Sequence, residues 1–153
     1  MTSPGVHLRE ITDDNRDAVR ALRVRRRQKQ FVASVSKSLK EAAKTPEANP
    51  WYRGVYRGDE PVGFVLFHPI EPERPADGHC IMRFMIDQRY QRQGIARPAL
   101  RAAVEFIRRE HHVDRVRLSV VPENDHARAL YRSEGFAETG ELEHGELVMI
   151  RTG

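Results

Sequence analysis

A long amphipathic helix held between two apolar strands constrains this chain more than any other feature. From Gly94 to Arg109, the residues Ile95, Ala99, Ala102, Ala103, Phe106 and Ile107 recur at helical spacing and share one face. The segment before it, Cys80 to Ile86, is apolar apart from Arg83, and Val116 to Val121 after it has the character of a buried strand. Two strands joined through a helix lie parallel in one sheet, and such a crossover is right-handed. The chain is therefore committed to at least one parallel strand pair with a helix packed across it.

The flanking segments add antiparallel partners. Val6 to Ile11 reads as a strand, with Thr12 and Asp13 as caps for a helix from Asn15 to Val24. A second helix starts at Ser36 or Ser38, ends near Lys44, and is closed by Pro46 and Pro50. Trp51 to Tyr56 and Val62 to Phe67 flank Gly58-Asp59, which is turn chemistry, so they form a hairpin. Pro122 ends the strand at Val121, Asn124 caps a helix from Asp125 to Glu134, and Gly135 stops it. Phe136 to Gly140 and Glu146 to Arg151 close the chain as two strands around Glu143-His144-Gly145. The expected class is α/β (α+β mixed): a central mixed, mostly antiparallel sheet of six to seven strands, flanked by about four helices on both faces. Residues 1–153 fit a single domain.

Composition removes several function classes. Cys80 is the only cysteine, so neither an internal disulfide nor a multi-cysteine zinc site can form. Met1 to Glu10 has no signal-peptide character, and the longest apolar stretch, Val62 to Phe67, is too short to span a bilayer. The expectation is a soluble cytoplasmic protein with no membrane partner. Net charge is +4, from 26 basic and 22 acidic side chains. That balance permits an anionic ligand without calling for nucleic acid. The basic run Arg23 to Gln30 reads as a solvated helix face.

The chemistry concentrates where the apolar strand meets the long helix. A helix start leaves backbone N–H groups unpaired, with partial positive charge. Small residues at Gly94 and Ala96 let an anion approach that backbone, and Arg92 and Arg97 add charge-assisted hydrogen bonds. Pro98 lacks an N–H, which is tolerated in a first helical turn. A glycine serving only a tight connection accounts for the loop equally well. No Gly-Lys-Ser/Thr is present, and Gly94 is the loop's only glycine, so neither a Walker loop nor a dinucleotide fingerprint fits.

Gln91-x-x-Gly94-x-Ala96 at this junction resembles the signature of the GNAT superfamily of acetyl-CoA-dependent N-acetyltransferases. A second element matches as well: Asn124, Ala127, Leu130, Tyr131, Gly135 and Phe136 stand at the family's downstream spacing. The resemblance spans essentially the whole chain and implies a GNAT-like acyl-CoA N-acyltransferase fold. It implies that the backbone of Phe84, Met85 and Ile86 binds the acetyl carbonyl and pantetheine arm. It implies further that Gln91, Arg92, Gln93, Gly94, Ile95, Ala96 and Arg97 hold the pyrophosphate, that Asn124 bonds the pantetheine, and that Tyr131 protonates the departing thiolate. Many relatives have glycine where Arg92 stands. Read as residues alone, Tyr131 is a core aromatic and Asn124 a helix cap.

Within the superfamily the chain looks most like bacterial diamine, spermidine and spermine acetyltransferases. The segments are Phe31-Val32-Ala33-Ser34 with Ser38 to Ala42, Arg83 to Asp87, and Gly140-Glu141-Leu142 through Gly145-Glu146 to Val148-Met149. The acceptor is then a small-molecule amine, with a polyamine as the leading substrate. The acidic stretch Glu71 to Asp77 and Glu141, Glu143 and Glu146 suit a polycation, whereas the run Arg23 to Gln30 does not. Asp87, Glu41, Glu71, Glu73, His79 and His144 are candidate bases, none singled out. Alternatives are acetylation of a drug-like amine or a protein amino group, or a CoA-binding regulatory module without turnover. No metal is expected, and a homodimer is in keeping with the resemblance.

Overall fold

A computed structural model describes residues 5–25, 34–44, 51–68, 79–111 and 114–152. Seven strands form one sheet: β1 (Val6–Arg9), β2 (Trp51–Arg57), β3 (Glu60–His68), β4 (His79–Ile86), β5 (Arg115–Val120), β6 (Ala137–Glu143) and β7 (Glu146–Thr152). Their order across the sheet is β1-β2-β3-β4-β5-β7-β6. Every neighbouring pair is antiparallel except β4 and β5. Four helices accompany it among the described residues: α1 (Arg16–Arg20), α2 (Val35–Lys44), α3 (Ala96–His111) and α4 (Asp125–Ser133). The expected mixed, mostly antiparallel sheet is thus present, with α3 as the crossover between its parallel strands.

β3 has apolar side chains on both faces, and its neighbours divide accordingly. Val65 and Phe67 join a cluster with Leu100, Ala103, Val104 and Ile107 of α3. Phe64 and Leu66, one residue out of phase, join Val19, Leu22, Val35 and Ala42 from the α1 and α2 region. Period-two alternation thus sends α3 to one face and α1 with α2 to the other. Each Phe, Leu or Val fully buried this way contributes about 1.5–3 kcal/mol.

The element limits differ from the sequence expectation where distant contacts intervene. The N-cap Asn15 makes no side-chain cap bond, and neither Thr12 nor Asp13 caps α1. The Asn15 side chain instead accepts from the Thr12 N–H at 2.7 Å and donates to the Glu10 carbonyl at 2.9 Å. α1 ends at Arg20 rather than Val24, because the backbone beyond it is committed to the end of β4. The Arg23 N–H donates to Asp87 Oδ2 at 2.8 Å, and the Arg23 carbonyl accepts from the Gln88 N–H at 2.6 Å. α2 begins at Val35, with the Ser34 hydroxyl accepting from the Lys37 N–H at 3.1 Å. α3 begins at Ala96, since Gly94 has φ +75° and cannot belong to a right-handed helix. The acidic stretch 71–77 and residues 26–33 lie outside the described residues.

Asp87 closes β4 and starts a short 3-10 helix, Gln88–Tyr90. Its carboxylate is almost fully buried and accepts from the Arg23 N–H, the Arg89 N–H and Arg89 Nε. Burial pushes its pKa up, but these hydrogen bonds and the Arg89 charge outweigh that and hold it below its ordinary 3.8. Asp87→Ala should cost about 1–2 kcal/mol in denaturant unfolding, since it removes the acceptor of three part-buried hydrogen bonds. A depressed carboxylate contributes in full above its unfolded pKa and loses that contribution as pH falls through the folded value. The native protein should therefore lose stability as pH falls below about 3.8, and Asp87→Asn should flatten that decline in denaturant unfolding against pH. At Gly63 a Cβ would lie 2.4 Å from the Met85 carbonyl oxygen. Backbone cannot yield there, so Gly63→Ala should lower stability by about 3 kcal/mol, read as a fall in Tm.

Candidate active site at a split between two parallel strands

β4 and β5 pair over three positions only: His79 with Val116, Cys80 with Arg117 and Ile81 with Leu118. β4 then runs five residues further, to Ile86, without a partner on that side. The cause is local. Opposite β3, the register jumps from Leu66–Arg83 to Phe67–Ile81, leaving Met82 as an extra residue. Such a bulge bends its strand and raises the local twist, and it sits where the parallel pairing stops.

The freed edge carries specific peptide groups. The Asp87 N–H donates to the Val62 carbonyl of β3 at 2.8 Å. Alternation gives Met85 the same direction and turns Phe84 and Ile86 toward the split. Met85 therefore faces β3 with its peptide groups, while Phe84 and Ile86 present theirs to the split. Gln91 donates its amide to the Ile86 carbonyl at 2.9 Å. What remains on the open edge is the Phe84 N–H and carbonyl and the Ile86 N–H. Backbone polar groups in a half-buried split require partners.

The loop after β4 is wound tightly. Arg92 has φ +62° and Gly94 φ +75°. Gly94 fits this without strain, while Arg92 occupies a left-handed position at a cost of about 1–2 kcal/mol. The Gln91 side chain is held at both ends, donating to Ile86 and accepting from Arg25 Nε at 3.2 Å. Gln93 accepts from Arg57 at 3.0 Å and donates to the Arg89 carbonyl at 3.0 Å. Ile95 is buried beside Val55, Val62, Ile86 and Ala99, anchoring the loop to the sheet. Arg92, Gln93, Gly94 and Arg97 are exposed. Nothing lies within 4 Å of the position a Gly94 Cβ would take. The N–H groups at the start of α3 thus open onto space bordered by arginines, which fits an anion the size of a pyrophosphate.

α4 supplies the other wall. Asn124 caps it, Oδ1 accepting from the Ala127 N–H at 3.4 Å, so the plain cap is present. The Asn124 amide nitrogen makes no hydrogen bond among the described residues. Tyr131 packs against the α3-side cluster that Phe84 of β4 also borders, with its ring edge-on to Phe136 at 6.0 Å. Burial pushes the Tyr131 hydroxyl pKa up to about 12. Tyr131 is partly buried, and among the described residues its hydroxyl makes no hydrogen bond.

The candidate bases are not gathered at the split. Asp87 is fully engaged in holding the chain, as described above. Glu41 pairs with Arg83 at 3.1 Å. His79 is buried at the opposite end of β4, and His144 is exposed at the β6–β7 turn. Glu71 and Glu73 lie outside the described residues. Of the basic run, the Arg23 backbone N–H is committed to Asp87 while its guanidinium donates to the Arg20 and Leu22 carbonyls, and the Arg25 side chain bonds Gln91; residues 26–30 are not described. Sequence reasoning missed these two straps and the Met82 bulge. Asp87 followed by a three-residue turn was the one available signal, as an N-cap.

No helix among the described residues is long and apolar enough to cross a membrane, and no group of His, Cys, Asp and Glu there could hold a metal. The acetyltransferase (GNAT) family model matches residues 9–136. A spermine/spermidine N(1)-acetyltransferase of Bacillus subtilis (strain 168) is 32% identical over 150 residues, covering 95% of this chain and 97% of that protein. Among solved structures, AAC(6')-Ib in complex with ribostamycin and coenzyme A superposes with a TM-score of 0.78 at 16% identity, over 97% of this chain and 93% of that one. A spermidine N-acetyltransferase from Vibrio cholerae in complex with CoA and spermine gives 0.70 at 19% identity, over 95% and 92%. At such identities the two superpositions speak for the fold, while the family match and the Bacillus relative reach further: the chain belongs to the acetyltransferase (GNAT) family.

Proposed function

We propose that this protein transfers the acetyl group of acetyl-CoA to a primary amine of a polyamine, such as spermidine or spermine, by direct attack within a ternary complex. Residues 1–153 act as one acetyltransferase domain, in the cytoplasm. The observation that carries the donor half is the open edge of β4, whose free Phe84 and Ile86 groups face the split beyond the last β4–β5 pair. The reading of the acceptor as a polyamine draws on the Bacillus relative.

Acetyl-CoA supplies an activated thioester. The Phe84 and Ile86 peptide groups bind along its pantetheine arm and carbonyl, continuing the sheet with ligand in place of a strand. The Asn124 amide nitrogen adds a donor from the far wall. Backbone N–H groups from Arg92 to Arg97, together with the Arg92 and Arg97 side chains, hold the pyrophosphate.

Tyr131 faces the departing sulfur. A free thiol has a pKa near ~8.5. A hydroxyl raised to about 12 keeps its proton beside such a sulfur and donates a hydrogen bond as negative charge develops. The acceptor must shed a proton first: with a pKa near ~10.4, about one part in a thousand of a primary alkylamine is neutral at about pH 7.4. Asp87, held below its ordinary range and saturated with donors, does not take that proton.

Incubation with acetyl-CoA and spermidine or spermine should give acetylated product by mass spectrometry. Tyr131→Phe should lower kcat by about a hundredfold, with both KM values nearly unchanged. The kcat/KM for the amine should rise with pH between about 7 and 9 as more free base forms, with no fall from Tyr131 ionisation in that range. Thermal stabilisation by CoA without product from polyamines, aminoglycosides, amino acids or peptides would instead mark a non-catalytic sensor.

A further inference from the structure

On the sheet face away from α3, one carboxylate beside the split has no cationic partner among the described residues. Val116, Leu118 and Val120 of β5 point into the α3-side cluster, so Arg117 and Ser119 point the other way. On β7, Leu147 and Met149 border that cluster, which turns Glu146 to the same side as Ser119. On β4, Arg83 stands opposite Leu66, a member of the α1–α2 cluster, and so shares this face. The charges here are mostly matched. Arg83 pairs with Glu41 at 3.1 Å, and buried Arg117 pairs with Glu143 at 2.5 Å. Glu146 is different. Its Oε1 accepts from the Ser119 hydroxyl at 3.1 Å, and it makes no ion pair among the described residues.

Its position matters as much as its charge. Ser119 is the first residue of β5 past the last pairing with β4, so it forms the lip of the split. On the α3 side Leu100, Val104, Phe136 and Tyr131 belong to one apolar cluster, which offers a charged amine little to bind. The face that Glu146 borders suits the amine better. Glu146 is half-buried, where a carboxylate interacts with a cation more strongly than in open water.

We infer that Glu146, oriented by Ser119, binds a non-reacting ammonium group of the acceptor and so selects amines with a second positive charge. This deepens the polyamine reading and rests on it. Glu146 is a specificity residue: it fixes the distant nitrogen while the reacting nitrogen lies in the split.

The test uses Glu146→Gln, which keeps the side-chain shape and the Ser119 hydrogen bond but removes the charge. KM for spermidine should rise about tenfold or more, the scale of a lost charge-assisted contact. The kcat at saturation, KM for acetyl-CoA, KM for butylamine and Tm should hold. Glu146→Asp, which retains the charge, should recover part of the spermidine affinity. An unchanged spermidine KM in a wild-type-active enzyme would overturn this inference alone. An equal rise for butylamine, or a rise for acetyl-CoA, would reduce Glu146 to a structural role and overturn it as well. Absence of polyamine acetylation by the wild-type protein would remove the parent reading and this one together.

Discussion

The interaction on which the rest of this structure depends is a pairing that stops. β4 and β5 share three positions and then part, so a seven-stranded sheet has an interior edge of unpaired peptide groups. A sheet edge is ordinarily a hazard, because it invites any extended chain to add itself. Here the edge lies between strands rather than at a margin. A flexible ligand arm can enter where another protein strand would be excluded by the neighbouring wall. The Met82 bulge coincides with the parting of the strands, β3 on the other side stays paired with β4 through to Ile86, and α3 and α4 close one face of the gap.

Much of this was legible in the residues. The apolar strand, the long amphipathic helix and the second apolar strand give a parallel crossover from periodicity alone, and the hairpins follow from turn chemistry. Asn124 read correctly as a cap, and Gly94 takes the positive φ of a tight strand-to-helix connection. Local patterns of this kind report what one segment does by itself. The split was not legible, because it arises from a register slip between β3 and β4, and alternation along β4 looks the same on either side of Met82. The end of α1 was misplaced for a related reason. Residues 21–24 have acceptable helical character, but the backbone of Arg23 is drawn to Asp87, a contact no window of sequence contains.

Two residues gained a different meaning from their surroundings. Asp87 reads in sequence as a carboxylate at the end of a ligand strand, and so as a base. Burial and three donors make it an anchor instead. Arg25 reads as part of a basic patch and is in fact bonded to Gln91. Both cases follow one rule: a charged side chain is available for chemistry only when its hydrogen-bonding capacity is not already spent.

The same two straps bear on how the molecule is assembled. The Arg23–Asp87 and Arg25–Gln91 bonds each join residues more than sixty positions apart. Closing so large a loop in an unfolded chain is entropically costly, and a single hydrogen bond does not repay it. The antiparallel run β1 to β4 must zip first, bringing both ends to the same edge. The donor loop therefore belongs to the late-setting part of the fold, shaped only after the sheet beneath it exists. A chain stalled with only β1 to β4 paired would lack the α3-side core as well as a working phosphate cradle, so ligand capture is a readout of completed folding.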